Sequence, residues 1–367
     1  MNNNIRYRRE RVGNFLLSFY LKDVIILEKL KPIEEGEYLQ CNPLNRQFVE
    51  EYLDNSTQLS DRTLNTYKSN LRIWLVWIKD NLNNKNITEI KPREYLRFQN
   101  WLINRGCSSS DVRTKRSTIS SLNNYIEVYY LDEYPMYRNC VNSSIPVPEN
   151  NYIHEKNPPT REEIEEMCRK LEESDNKNRY QLIAYLKFAF ETGCRRAETV
   201  QIMKDIVNAE KITKEIEVKD KDGNKSMKVS SYYLTPKIRC KGRGKTGKIR
   251  QLKFSDYSME WIKKWIEVRG DDDVPNLFVT KYNGGVKPAS IYTINEWCST
   301  TLTKLLGRNL HPHSLRSSVA TDIVMVQGKD VNVARSLLGH ESAEVTLAHY
   351  VVGYDMDADA DELFIDE

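Results

Sequence analysis

Apolar residues between Ser60 and Ile78 stand at positions 64, 67, 71, 74, 75 and 78, with Asn65, Lys68, Ser69 and Arg72 between them. That one-sided stripe at a period of 3.6 predicts a helix with one buried face. Ser60 or Asp61 supplies its cap. A second helix is expected from Pro92 to Asn104, stopped at Arg105-Gly106, where glycine fits the left-handed position after a helix end. A third begins within Ser108-Ser109-Ser110-Asp111 and runs to about Tyr130. Residues 43–142 therefore read as one helical domain. Pro146, Pro148, Pro158 and Pro159 then interrupt both periods, and 143–159 reads as a linker. Thr160 with Glu163 three residues on is a capping box, so a new domain starts there.

Within residues 160–354 the pattern is mixed. Tyr180 to Phe190 is a strongly apolar helix leading into Thr192-Gly193-Cys194-Arg195-Arg196. From about 212 to 254 the period drops to that of strands. Ile216 and Val218, then Val229, Tyr232, Tyr233 and Leu234, flank the turn Asp220-Lys221-Asp222-Gly223-Asn224. A third strand is expected over Ile249–Phe254, and helices from Trp261 almost to the end. The six tryptophans sit mostly at helical spacing and read as core. The fold class is mainly α: a helical domain, then an α-rich domain with a small antiparallel sheet.

Bulk properties narrow the class. With 367 residues, 40% hydrophobic and 29% charged, the chain exceeds what one core usually fills. No apolar run is long enough to span a bilayer, and the polar, basic start does not read as a signal peptide. Seven cysteines stand singly with no CxxC pair, which points to reduced thiols in a cytoplasm. Residues 355–367 form an acidic tail with seven acidic and no basic residues. Without it the formal charge rises from +3 to +10, a balance compatible with a nucleic-acid partner. Residues 1–42 hold a basic stretch, Arg6 to Arg11, and an apolar segment, Phe15 to Leu30. This is either a helix packing on its neighbour or a DNA-contacting arm. Arg113, Lys115 and Arg116, set among Thr114, Ser117 and Thr118, offer a phosphate-binding helix face.

Five short segments carry the candidate chemistry: Thr192-Gly193-Cys194-Arg195-Arg196-Ala197-Glu198; the basic, glycine-rich stretch Lys237 to Arg250; His311-Pro312-His313-Ser314-Leu315-Arg316; Leu337-Leu338-Gly339-His340; and Thr346-Leu347-Ala348-His349-Tyr350. The basic stretch has seven cations in fourteen residues and no acid. Three rival patterns fail on spacing. Gly244-Lys245-Thr246 lacks the first glycine of a P-loop, since Arg239 stands there. The histidines have no Cys or carboxylate at metal-ligand spacing. The alternating aspartates of the tail lack the glycine of a calcium loop.

Taken in order, the five segments resemble the motifs of the tyrosine recombinases, also called phage-type integrases: T-G-x-R-x-x-E, K-x-x-K-x-R in a hairpin, H-x-x-R, L-L-G-H, and a tyrosine about ten residues later. The resemblance implies a two-domain DNA clamp in which 43–142 is the core-binding (SAM-like) domain and 160–354 the catalytic one. It implies that Tyr350 is the nucleophile and that Arg195 and Arg316 hold the scissile phosphate. Lys245 is then the general acid, with Lys241 its competitor, and His313 handles the tyrosine proton. His340 adds a hydrogen bond to the phosphate, and Glu198 orients Arg195 or His313. Lys241, Arg243 and Lys248 would touch DNA. Tyr354 competes with Tyr350 but lies past Gly353. The implied reaction is site-specific strand exchange through a 3′-phosphotyrosine and a Holliday junction, without cofactor or metal. Four protomers would act on two double-stranded DNA sites, with accessory DNA-bending or directionality proteins as further partners. The chemistry suits these residue types: Arg offers a permanently charged fork for phosphate, and Tyr, with a free pKa of about 10, needs a cationic or basic neighbour to attack.

Overall fold

The computed structural model describes residues 30–149, 157–219, 225–240, 247–282, 284–340 and 342–351. The chain divides into two compact units between Ile153 and His154. The segments 1–29 and 352–367, and with them the N-terminal arm, Tyr354 and the acidic tail, lie outside the described residues.

The first unit is helical. Its main helices are Pro43–Asn55, Asp61–Asn81, Pro92–Asn104 and Ser109–Tyr129, after a short one at Glu35–Leu39. Ser60 and Ser108 cap two of them, accepting from Thr63 N at 3.3 Å and Asp111 N at 3.2 Å. Phe48, Leu71, Trp74, Phe98, Ile119 and Ile126 are fully buried in the core they share. This unit is larger than 43–142. At its start Tyr38 and Cys41 are buried, and Asn84 ties Asn42 and Gln40 to the loop after the second long helix. At its end Ile145 is buried, and Gln99 donates to the Pro146 carbonyl at 2.8 Å.

Of the basic helix face expected at 113–116, Lys115 does not present its charge: it is 5% exposed and paired with Asp111 at 2.6 Å. Arg113 donates to the Pro148 carbonyl at 2.8 Å, and Arg116 to the carbonyls of Asn142 and Ile145 and to Gln99. These arginines satisfy carbonyls of the first residues after the domain and so fasten the start of the linker.

The second unit is built around the helix Arg179–Thr192. From Leu182 to Phe190 every side chain but Lys187 is apolar and nearly sealed from water. A helix apolar all round must be enclosed. Helices Arg161–Glu172, Asp256–Arg269 and Pro312–Thr321 pack against it. The capping box at Thr160 and Glu163 forms as the sequence predicts.

The strands are β1 (Ile212–Lys219), β2 (Lys225–Leu234), β3 (Ile238–Cys240), β4 (Lys248–Arg250) and β5 (Lys253–Phe254), all antiparallel where paired. The expected continuous strand 249–254 is split. β4 pairs with β3, and β5 pairs with the end of β2. The chain changes partner at Leu252, whose N–H donates to Thr235 Oγ1 at 2.9 Å. That switch explains the imperfect alternation, with Ile249 68% exposed while Leu252 and Phe254 are buried. A further hairpin, β6 (Val279–Tyr282) with β7 (Gly285–Pro288), interrupts the run expected to be helical throughout.

Candidate active site

Each motif segment sits at the end of an element, and glycines make two of the turns. The helix Arg179–Thr192 stops at Gly193, at φ +58°. A β-carbon built there would lie 2.2 Å from Leu338 Cδ2. The helix Val331–Leu338 stops at Gly339, at φ +67°, where a β-carbon would meet the Arg250 guanidinium at 3.1 Å. The two glycines of T-G-x-R and L-L-G-H thus serve one purpose. They let two turns close on each other, which a side chain in the left-handed region would oppose.

Arg316 locks that junction. It stands three residues after His313 on the helix Pro312–Thr321, so both project from one face. At 1% exposure its guanidinium donates to the Gly193 carbonyl, to the Leu338 carbonyl and to His340 Nε2, the last at 2.8 Å. Arginine has no acceptor, so His340 Nε2 must be the unprotonated nitrogen. His340 Nδ1 then carries the proton and donates to Thr346 Oγ1 at 2.9 Å. Thr346 is fully buried and passes its own proton to the Ser342 carbonyl at 3.4 Å. It lies on the helix Ala343–Tyr350, four residues before Tyr350, which is the last residue of that helix.

Burial and then the neighbouring Arg316, Arg195 and Arg250 hold the His340 pKa down at about 3, so the ring is neutral at physiological pH. Its nitrogens are taken by Arg316 and Thr346, and its arrangement orients the arginine.

Glu198 is the negative counterpart. It is 1% exposed and binds Arg195 N at 2.9 Å and Arg195 Nη1 at 3.0 Å, closing a capping box. Its second oxygen also takes Arg250 Nη2 at 2.7 Å. Burial pushes the Glu198 carboxyl upward, but the Arg250 charge and the Arg195 N–H outweigh it and leave the pKa lowered. Of the two partners expected from the sequence, Arg195 and His313, Glu198 holds Arg195, and it holds Arg250 as well.

Arg250 was legible only as a register mark in the basic hairpin. It reaches from β4 to Glu198, to the Leu337 carbonyl at 2.9 Å and to Cys240 Sγ at 3.2 Å. Lys241, Arg243 and Lys245 lie outside the described residues. Their loop leaves from Cys240 and returns at Gly247, the ends of the β3–β4 pair. Lys248 stands on β4 and is exposed.

A cleft of about 640 Å³ opens beside this network, lined by Arg195, Arg196, His313 and Arg316, and further by Asn295, Ser299 and His311. Segments separated by more than a hundred residues thus bring three arginines and two histidines to one hollow. Preorganised cations of this kind suit an anionic group whose charge grows during reaction.

The chain resembles known proteins over both of its units. A model of the phage integrase family matches residues 160–355, and one of the phage integrase N-terminal SAM-like domain matches 46–129. The SPbeta prophage-derived recombinase-like protein YomM of Bacillus subtilis (strain 168) is 30% identical over 341 residues, covering 92% of this chain and 96% of that protein. A tyrosine recombinase of Thermosipho africanus (strain TCF52B) is 24% identical, covering 81% of this chain and 90% of its own length. Among solved structures, the Tn1549 transposon integrase in complex with transposon right end DNA has a TM-score of 0.61 at 14% identity, covering 88% of this chain and 99% of that one. The XerH site-specific recombinase bound to palindromic difH substrate has a TM-score of 0.59 at 16% identity, covering 92% and 99%.

Proposed function

Because the chain belongs to the phage integrase family of tyrosine recombinases, we propose that it is a site-specific DNA recombinase in which Tyr350 attacks a backbone phosphate. The observation that carries this reading is the convergence of Arg195, His313 and Arg316 on one cleft. In the proposed reaction the Tyr350 oxygen bonds to phosphorus and the 5′-oxygen of the next nucleotide leaves. The tyrosine proton passes to His313, and Lys245 gives a proton to the leaving oxygen. Arg195 and Arg316 hold the non-bridging oxygens, and Glu198 and His340 hold those arginines in place. Attack by the freed 5′-hydroxyl reverses the same steps, so the ester keeps the energy of the broken bond and no nucleotide is spent.

Four protomers on two double-stranded DNA sites would exchange strands through a Holliday junction, serving integration or excision of a mobile element. The relative named for a prophage favours this setting over Xer-like resolution or inversion. Accessory DNA-bending or directionality proteins are natural partners. Lys115 is left out of the proposed DNA surface because it is buried against Asp111, whereas Arg113 and Arg116, half-buried, stay in it. Lys241, Arg243 and Lys248 remain in it.

The test is covalent trapping on a nicked suicide duplex. Wild-type protein is expected to become attached to DNA, and Tyr350→Phe to bind without attachment. Attachment by Tyr350→Phe would remove the assigned nucleophile. A wild-type chain that binds DNA and never attaches would instead be a DNA-binding regulator.

A further inference from the structure

The cleft is larger than its proposed task requires. At about 640 Å³ it has the room of roughly twenty water molecules at about 30 Å³ each, far more than one phosphate fills. Arg195, His313 and Arg316 line it, and so do Arg196, Asn295, Ser299 and His311, none of which has a role in the five motifs.

Arg196 is the telling residue. It is half-buried at the first position of the short helix Arg196–Thr199 and adjoins Arg195 in the chain. The acid nearest in sequence, Glu198, is already saturated by Arg195 and Arg250. Among the described residues no acid pairs with Arg196. An arginine without an acidic partner on the wall of a cleft is open to an anion. The same cleft is lined by the hydrogen-bonding groups of Asn295 and Ser299, four residues apart in the chain, and by His311, the N-cap residue of the helix Pro312–Thr321. Arginine, Asn and Ser are among the side chains that contact phosphate and sugar oxygens.

We infer that Arg196, with Asn295, Ser299 and His311 of the same cleft, binds a second backbone phosphate, the one adjoining the phosphate held by Arg195 and Arg316. The inference rests on the cleft being the site of DNA cleavage. It makes Arg196 a positioning residue, because two neighbouring phosphates held by consecutive arginines fix the direction of the strand as well as its place. Tyr350 then meets phosphorus from one side only.

The test compares wild type and Arg196→Gln on two readouts. In the first, affinity for a random-sequence duplex is measured over a range of salt. Arg196→Gln is expected to weaken binding about tenfold and to lower the slope of log affinity against log salt by about 0.9, the share of one phosphate. In the second, the cleaved position is read by sequencing DNA trapped on wild-type protein. Duplexes are then made with one uncharged methylphosphonate at each phosphate flanking that position. Wild type should lose cleavage rate at one adjoining phosphate, and Arg196→Gln should lose nothing further there while remaining sensitive at the others. An unchanged salt slope, or losses that multiply at every position, would overturn the inference while leaving trapping by wild type intact. If wild type never traps DNA but Arg196→Gln still loses the slope, the cleavage reading fails and the phosphate site stands.

Discussion

His340 carries a proton relation that can be measured. Its pKa falls from 6.5 to about 3 on folding, chiefly through burial and then through Arg316. The unfolded ring therefore binds a proton between those values and the folded ring does not. Stability from this group is complete above pH 6.5 and declines as pH falls toward 3. Carboxylates impose a similar trend on the whole chain, so the comparison must be internal. Wild type is expected to lose more stability than His340→Gln between pH 6.5 and 4, since glutamine keeps an acceptor for Arg316 without titrating. Denaturant midpoints across that range check it, and parallel curves for the two proteins would show that His340 is not the titrating group. The residues that make this relation were unequally readable in the sequence. His340 and Arg316 stand in recognisable patterns. Thr346 and Arg250 lie within the same motif segments but carry no role there, because what gives them importance is a contact made across six and fifty-two residues with His340 and Glu198.

At the level of elements, the site is a junction of helix ends. Gly193 and Gly339 let the turns meet, and the Leu338 side chain fills the space against Gly193. Gly193→Ala imposes a left-handed alanine, a cost of about 1–2 kcal/mol, and drives a β-carbon into Leu338. The variant is expected to unfold at clearly lower temperature. Adding Leu338→Ala should cost less in the Gly193→Ala background than in wild type, because the clash is relieved. Thermal melts of the two single variants and the double variant decide this. Additive losses would mean that the two residues do not touch. Helix positions in the first unit were legible because their stripes and caps are local signals. The split of 249–254 between two partners was not, because partner exchange at Leu252 depends on Thr235. The β6–β7 hairpin carried a usable signal in Asn283-Gly284, a two-residue turn of the favoured kind, that the helical reading passed over.

Charge acts at the level of the whole molecule. The chain has a formal charge of +3, but residues 355–367 contribute seven acids and no base. An acidic segment tethered to a basic body competes with phosphates for the same cations. Truncation after Tyr354 is expected to tighten binding to random duplex DNA at low ionic strength. The gain should shrink toward nothing near 1 M salt, where screening acts within about 3 Å. A gain that persists at high salt would point to a specific contact by Leu363-Phe364-Ile365. Domain order and chemistry were legible here from motif order alone. The ends of the first unit were not, since Tyr38 and Ile145 lie in polar or proline-rich surroundings and declare themselves only by packing.

The guanidinium of Arg316 has a consequence for reading such sequences. It ties the Gly193 and Leu338 carbonyls together from a fully enclosed position. A descendant of this protein that abandoned strand cleavage would still need that arginine to stay folded. Decay of activity along a lineage should therefore leave the arginine among the last residues to change. A surviving His-x-x-Arg testifies first to the architecture and not, by itself, to the trade.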